Sequence, residues 1–371
     1  MTDLTQNEST NDSRAGYRPA PPPLPENPID AKQTHVVAEF KHDIPLTTCR
    51  IDPTGHFVFA GAEDFHVYRW NVSGDDSTKT IFAGHQSWVR CLDFSRDGKL
   101  LFTASYDHKI GVWNTADTDP KPIRMIDAHK GWVRWVRVSP DGKLLASCGN
   151  DNLIKLWSIP DGTLQQEFVG HKRYPYAAVF HPDGKRLASF DLMGVIKDWD
   201  IETGKEQRSL EAKFMWGFDE KFRADMGGAR DMRFSEDGKT LIVAGLTEVT
   251  NAFAGVHKPM LLLVDWEKFE HRHKWKDDAY SGMAWGVCEH PDGFLVASGA
   301  PQGGNKGMLW FLKPGEEKPF HSVQLSHCAR GLDMTPDKRQ LAVPQFDGKL
   351  CVYQMTAPHQ VSSTADGEAR T

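Results

Sequence analysis

The chain has 371 residues, 39% of them hydrophobic and 11% aromatic, which is enough for a sizeable core, and it carries a formal net charge of −6. An acidic balance gives no general reason to expect nucleic acid, whose phosphates must be met by a basic surface. No apolar run of about 18 residues exists to span a membrane, and the opening MTDLTQNEST has neither the basic nor the apolar segment of a secretory signal.

Residues 1–33 are polar and proline-rich, with too few apolar side chains to offset the entropy of ordering, and are expected to be a disordered tail. The PPPLP run favours a polyproline helix, as a stiff linker or as a ligand for an aromatic groove. Thr34 to Phe40, THVVAEF, is a strand pattern. The last residues, 357–371, read as a second disordered tail.

Between the tails the chain repeats itself. One anchor is a tight-turn signal between apolar strands, as in SRDGKLLF and SPDGKLLA; its turn residue is Gly55, Gly98, Gly142, Gly184, Gly238, Gly293 and finally Lys338. Successive spacings are 43, 44, 42, 54, 55 and 45 residues. Asp-Gly supplies the positive φ such a hairpin needs, so the lysine turn is expected to be strained or shaped differently. A second anchor is an Asp six residues before an aromatic: Asp64 and Trp70, Asp107 and Trp113, Asp151 and Trp157, Asp347 and Tyr353. A third is a histidine ahead of the first strand: His42, His85, His129 and His171.

Seven copies in phase, with Gly-His near one end and a tryptophan near the other, resemble WD40 repeats over roughly residues 34–356. Only Trp199-Asp200 is a literal WD pair. The resemblance implies an all-β, seven-bladed β-propeller, each blade a four-stranded antiparallel sheet. It also implies a buried His–Ser/Thr–Asp–Trp network in each blade. Blade 2 offers His85, Ser105, Asp107 and Trp113; blade 3 offers His129, Asp151 and Trp157 with Ser147. Blade 1 has Ala62 where the hydroxyl is expected, and blade 4 has Met193 at the Asp position. Blades 5 and 6 lack the pattern and carry insertions, LTEVTNAFAGVHKPM and GAPQGGNKGM, which read as long loops suited to a mobile lip. Because the chain runs into a polar tail after Tyr353, the THVVAEF strand is expected to close the ring against blade 7, which removes an exposed edge.

Counting back from the turn glycines finds the channel mouth. Eight residues before stand Thr47, Arg90, Arg134, Tyr176, Arg230, Trp285 and Arg330. Ten before stand Pro45, Trp88, Trp132, Tyr174, Gly228, Met283 and Cys328. Strand alternation puts both positions on one face. Arginine and aromatics dominate binding hot spots, and four arginines around one opening repel each other unless an anion sits among them. The alternative is that each arginine pairs with an Asp or Glu of a neighbouring blade or with backbone carbonyls as structural glue, and that each tryptophan caps a blade core. In blade 7, His327 lies two residues out of register.

Catalytic signals are absent: there is no GxSxG elbow and no HExxH. His271 and His273 form a possible pair of metal ligands but have no recognisable third. The six cysteines, at 49, 91, 148, 288, 328 and 351, stand singly in mostly apolar runs, as buried reduced thiols do. The sequence therefore reads as a cytoplasmic, non-catalytic scaffold without cofactor or metal. It would bind a protein partner or acidic peptide on the arginine-aromatic face, and neither nucleic acid nor membrane. A small-anion or metabolite binder at the same mouth, even an enzyme, and a structural subunit of a larger complex are the alternatives.

Overall fold

A computed structural model describes residues 28–251, 256–301 and 306–357. Seven four-stranded antiparallel sheets follow one another round a closed ring. The first strands of neighbouring blades pack side by side around the axis, from Leu46–Ile51 in blade 1 and Val89–Phe94 in blade 2 through to Asp333–Met334 in blade 7. The chain closes as the sequence predicts. His35–Lys41 is the outer strand of blade 7, antiparallel to Lys349–Gln354 and paired from His35 with Gln354 to Lys41 with Lys349. Phe40, fully buried, stacks on Trp70 of blade 1 at 5.7 Å and fixes that seam.

Order begins earlier than the boundary drawn at residue 33. Ile29 and Ala31 pack against the core between blades 6 and 7, the Asp30 N–H donates to Met355 O at 2.8 Å, and Ala31–Gln33 forms a 3-10 turn. The PPPLP run and the remainder of both predicted tails lie outside the described residues.

The turn glycines all take positive φ, from 71° at Gly98 to 82° at Gly293, and Lys338 adopts the same left-handed conformation at 64°. The seventh turn therefore keeps its shape and carries the cost of a side chain there.

Blades 2, 3 and 4 each hold a complete buried network. In blade 3, Trp157 Nε1 donates to Ser147 Oγ at 2.8 Å, Ser147 meets His129 Nε2 at 2.8 Å, and His129 Nδ1 meets Asp151 at 2.8 Å. Asp151 also accepts the N–H groups of Lys130 and Leu153. Burial holds His129 below its ordinary pKa. Burial alone would raise Asp151, but the His129 bond and the backbone donors hold it at about 2. A neutral imidazole donating from Nδ1 satisfies every member of the chain. In blade 2 the hydroxyl is Thr103, not Ser105: Trp113 Nε1 donates to Thr103 Oγ1 at 3.0 Å, and His85 bridges Thr103 and Asp107. Ser105 instead donates to Ser87 O. Blade 4 is also complete, with Asp191, not the Met193 position, bound to His171 at 3.0 Å and Ser189 between His171 and Trp199. Blade 1 has the non-polar Ala60 at the hydroxyl register rather than Ala62; there His42 and Tyr68 both bond Asp64, and Trp70 Nε1 is left without a partner.

Blades 5 and 6 depart most from the repeat. The blade 5 insertion is not a loop but a strand extension: Thr240–Asn251 and Val256–Asp265 run on as an arm above the blade, flanked by a hairpin of Trp216–Asp219 and Ala224–Gly227. Its tip, 252–255, and residues 302–305 of the blade 6 insertion lie outside the described residues.

At the end of the channel near the turn glycines, acids and arginines pair across blades. Asp93, Asp231 and Asp333 accept the N–H groups of Val138, Val287 and Ile51 in the next blade, at 2.7, 3.0 and 2.9 Å. The same carboxylates meet Arg137 at 3.6 Å, Arg233 at 3.1 Å and Arg50 at 3.5 Å.

Candidate functional site

In five blades the inner strand pairs in register with its neighbour except at one place. The register shifts between Leu46 and Thr48, Val89 and Cys91, Val133 and Trp135, Pro175 and Ala177, and Ala284 and Gly286. The residues passed over are Thr47, Arg90, Arg134, Tyr176 and Trp285. A bulge leaves its extra residue unpaired and re-aims the side chain. Arg230 and Arg330 stand just ahead of the short first strands of blades 5 and 7, their N–H groups bonded to Ala244 O and Pro344 O. All seven residues of the predicted inner ring line one cavity of about 280 Å³. Sequence alternation selects these seven residues, and in five blades a bulge turns the side chain towards the cavity.

The outer positions are only partly brought to the cavity. Trp88 and Trp132 line it and are 41% and 43% exposed. Tyr106 lies between them, stacked on Trp132 at 4.1 Å and 10°, and 6.2 Å from Trp88. Tyr174 does not line the cavity; it packs beside Arg134 and Arg173. Pro45, Gly228, Met283 and Cys328 contribute no side chain to the lining.

Sequence reasoning missed a second ring. The residue immediately before the Asp anchor bonds through its N–H to the residue ten before the turn: Glu63 to Pro45 O, Tyr106 to Trp88 O, Asn150 to Trp132 O and Phe346 to Cys328 O. These side chains meet the arginines. Asn150 accepts from Arg134 Nε, Phe346 lies 4.4 Å from the Arg330 guanidinium, and Glu63 lines the cavity. Their fixed place one residue before the Asp was a usable signal. Trp135, next after the bulge in blade 3, also lines the cavity and had no such signal.

The arginines are held by rings and carbonyls rather than by acids. Arg134 sits over Tyr176 at 4.1 Å, and Arg230 lies between Tyr176 at 5.0 Å and Trp285 at 5.5 Å. Arg90 and Arg330 face the same Trp285 at 5.2 and 4.8 Å. Arg90 donates to Thr47 O, and Arg230 to Gly227 O. Among the described residues, none of the four forms an ion pair. Burial, then the neighbouring Arg90 and Arg230 charges, lower Arg330 to about 10. Burial also lowers Arg230 and raises Glu63, although Arg330 and Arg90 pull Glu63 the other way.

His271 and His273 lie on the outer strand Glu270–Lys276, where a register shift breaks the alternation that would align them. Among the described residues, no group of three or more His, Cys, Asp or Glu is arranged to hold a metal.

Comparison with known proteins agrees with the blade pattern. The family model "WD domain, G-beta repeat" matches residues 34–71, 76–114 and 120–158. A stretch covering 33% of the chain is 30% identical to Denticleless protein homolog B of Xenopus laevis, of which it spans 16%. Another, covering 22%, is 31% identical to Periodic tryptophan protein 2 homolog of Schizosaccharomyces pombe and spans 10% of it. A third, covering 20%, is 28% identical to U5 small nuclear ribonucleoprotein 40 kDa protein of Dictyostelium discoideum and spans 21% of it. The chain thus matches at most about a fifth of the length of these relatives. The three matched repeats are the first three blades, and the same four-stranded architecture continues through all seven, so the chain is a seven-bladed β-propeller that carries WD40 repeats.

Proposed function

We propose that the chain is a non-catalytic scaffold, cytoplasmic in location, that docks an acidic peptide of a protein partner over the arginine-aromatic mouth of its channel. One observation carries this reading: four guanidiniums surround a cavity of about 280 Å³ and none is ion-paired among the described residues. Like charges gathered in a partly desolvated opening cost free energy that an anionic ligand recovers through charge-assisted hydrogen bonds. The Trp88–Tyr106–Trp132 row beside the opening, its two tryptophans exposed, supplies rigid apolar area for the residues flanking the acidic group. A matched relative, Serine-threonine kinase receptor-associated protein of Bos taurus, is named for an association with another protein, and the U5 ribonucleoprotein relative for membership of a complex. Both names favour an interaction role here.

Fluorescence anisotropy with a labelled Asp/Glu-rich peptide tests the reading against Trp132→Ala and the double variant Arg134→Ala/Arg230→Ala. Loss of binding in both supports a peptide lying from rim to ring. Loss only in the double variant points to a small-anion site instead. Unchanged binding in both removes the channel mouth from the account and leaves the outer strands as the contact of a structural subunit.

A further inference from the structure

The floor of the cavity is built more narrowly than an acidic peptide alone requires. Three guanidiniums, those of Arg330, Arg90 and Arg230, lie within 4.8, 5.2 and 5.5 Å of the centroid of one indole, Trp285. Backbone carbonyls take Nη1 of Arg90 and of Arg230, while Arg330 Nε is buried without a hydrogen-bond partner. A further unpaired donor belongs to a residue of the same lining. Trp135 is 6% exposed, lines the same cavity, and its indole Nε1–H has no partner. An indole nitrogen is a donor only, so a buried one left unpaired calls for an acceptor. The one carboxylate in the lining, Glu63, cannot balance four arginines.

We propose that this floor is a subsite for a single phosphoryl group, received by Arg90, Arg230 and Arg330 with the Trp135 indole N–H as the fourth donor. The inference rests on the channel mouth being the docking face and names the group it selects. A planar carboxylate offers two oxygens and one charge, which suits one bidentate guanidinium. A phosphoryl group offers three terminal oxygens and a charge near −2 at neutral pH, which suits three converging cations and a further neutral donor. Set against four arginines and Glu63, it leaves the mouth closer to neutral than any single carboxylate does. The group can arrive as inorganic phosphate or on a phosphorylated side chain; in the second case the aromatic row takes the flanking residues.

The test uses the full chain at constant ionic strength, with its tryptophan fluorescence as the readout. Four probes are titrated: inorganic phosphate, acetate, a nonapeptide pool with central phosphothreonine and randomised flanks, and the same pool with glutamate at the centre. The expected order places the phosphothreonine pool at least about tenfold tighter than the glutamate pool, the scale of one extra charged hydrogen bond. Inorganic phosphate should compete with the pool, and acetate should not. Binding of the phosphothreonine pool should tighten as pH rises through about 6, where the second proton of the phosphorylated side chain leaves. Arg330→Gln should weaken phosphate about tenfold, and Trp135→Phe, which removes the donor but keeps an aromatic ring, by a smaller factor. Melting curves of both variants separate lost binding from lost fold. Equal binding of the two pools overturns the phosphoryl subsite and leaves the acidic-peptide reading standing. Binding of inorganic phosphate without either pool keeps the subsite and overturns the peptide reading. No response to any probe overturns both.

Discussion

The two ends of the channel use the same strands and the same residue type in opposite ways. At the upper mouth, Arg90, Arg134, Arg230 and Arg330 rest on aromatic rings and carbonyls without an acidic partner. Three residues further along five of the same strands stand Arg50, Asp93, Arg137, Arg233 and Asp333, and these pair with one another or with Asp231. The lower acids also bond backbone N–H groups of the next blade, so each carboxylate there is a rivet between blades. Pairing with acids is thus realised at the lower end only, while at the upper end internal pairing goes no further than carbonyls and rings. A ring of charge is a structural device when its partners come from within, and a receptor when they must come from outside.

Opening the seam where the lower end closes should have the largest effect. Arg50 of blade 1 meets Asp333 on the inner strand of blade 7, the sheet whose outer edge is the closing strand. Deleting residues 1–41 removes that strand together with buried Phe40. It should lower unfolding free energy by more than the roughly 3–5 kcal/mol expected for truncating one buried phenylalanine, whereas deleting residues 1–27 should leave urea unfolding unchanged. Next is Asp231→Ala. It leaves Arg233 and Arg50 to share Asp333 alone in a buried site and frees Val287 N–H, so a loss of up to about 3–5 kcal/mol is expected in the same assay. Arg230→Met at the upper mouth should stay within about 1 kcal/mol of wild type, or gain, because it removes a repelled charge and strands no acid. A loss comparable to Asp231→Ala would erase the distinction between the two ends.

Salt should divide the ends more gently. Raising ionic strength should weaken anion-induced stabilisation at the upper mouth, which is reached from solvent, while melting of the unliganded protein changes little, because its lower pairs are buried and poorly screened. Thermal-shift curves with and without phosphate at two salt concentrations measure both.

The architecture was legible because each repeat carries a backbone requirement that few residues meet. The positive φ of the turn marks every blade, and even Lys338 betrays the position by its neighbours. The network hydroxyls were harder. Thr103 and Ser105 share a strand face, so alternation cannot choose between them. The choice is made across the sheet, where Thr103 faces Gly111 and the missing side chain leaves room for the Trp113 indole N–H. Blade 4 was misread because its Asp lies 20 rather than 22 residues after the histidine, a change in hairpin length that spacing alone mistakes for a loss. The inner ring was found by counting. The bulge that aims it, and the Trp135 side chain in the cavity, depend on strand pairings that sequence does not display, whereas Glu63 and Tyr106 stand one residue before the Asp anchor, a signal left unused.

The smallest effect concerns Glu63, and its sign is diagnostic. At the lower end, burial would raise Asp231, but Arg233, Arg50 and Arg137 outweigh it and hold the carboxyl below its ordinary value. Its stabilising share is therefore complete above the ordinary carboxylate range of about 4 and is lost as pH falls through the depressed value. Glu63 behaves oppositely. Burial raises it and the nearby Arg330 and Arg90 do not win, so the folded state holds the proton more tightly than the unfolded chain. Ionised Glu63 then costs stability at neutral pH, and the cost disappears as pH falls through the raised value. Glu63→Gln should therefore melt slightly above wild type at pH 7, with the gap closing on acidification below its raised value. It should also bind phosphate more tightly, because a like charge has left the cavity. A variant that melts below wild type at pH 7 would mean that Glu63 is a true counter-ion of Arg330 and Arg90. The upper mouth would then be balanced from within, as the lower one is.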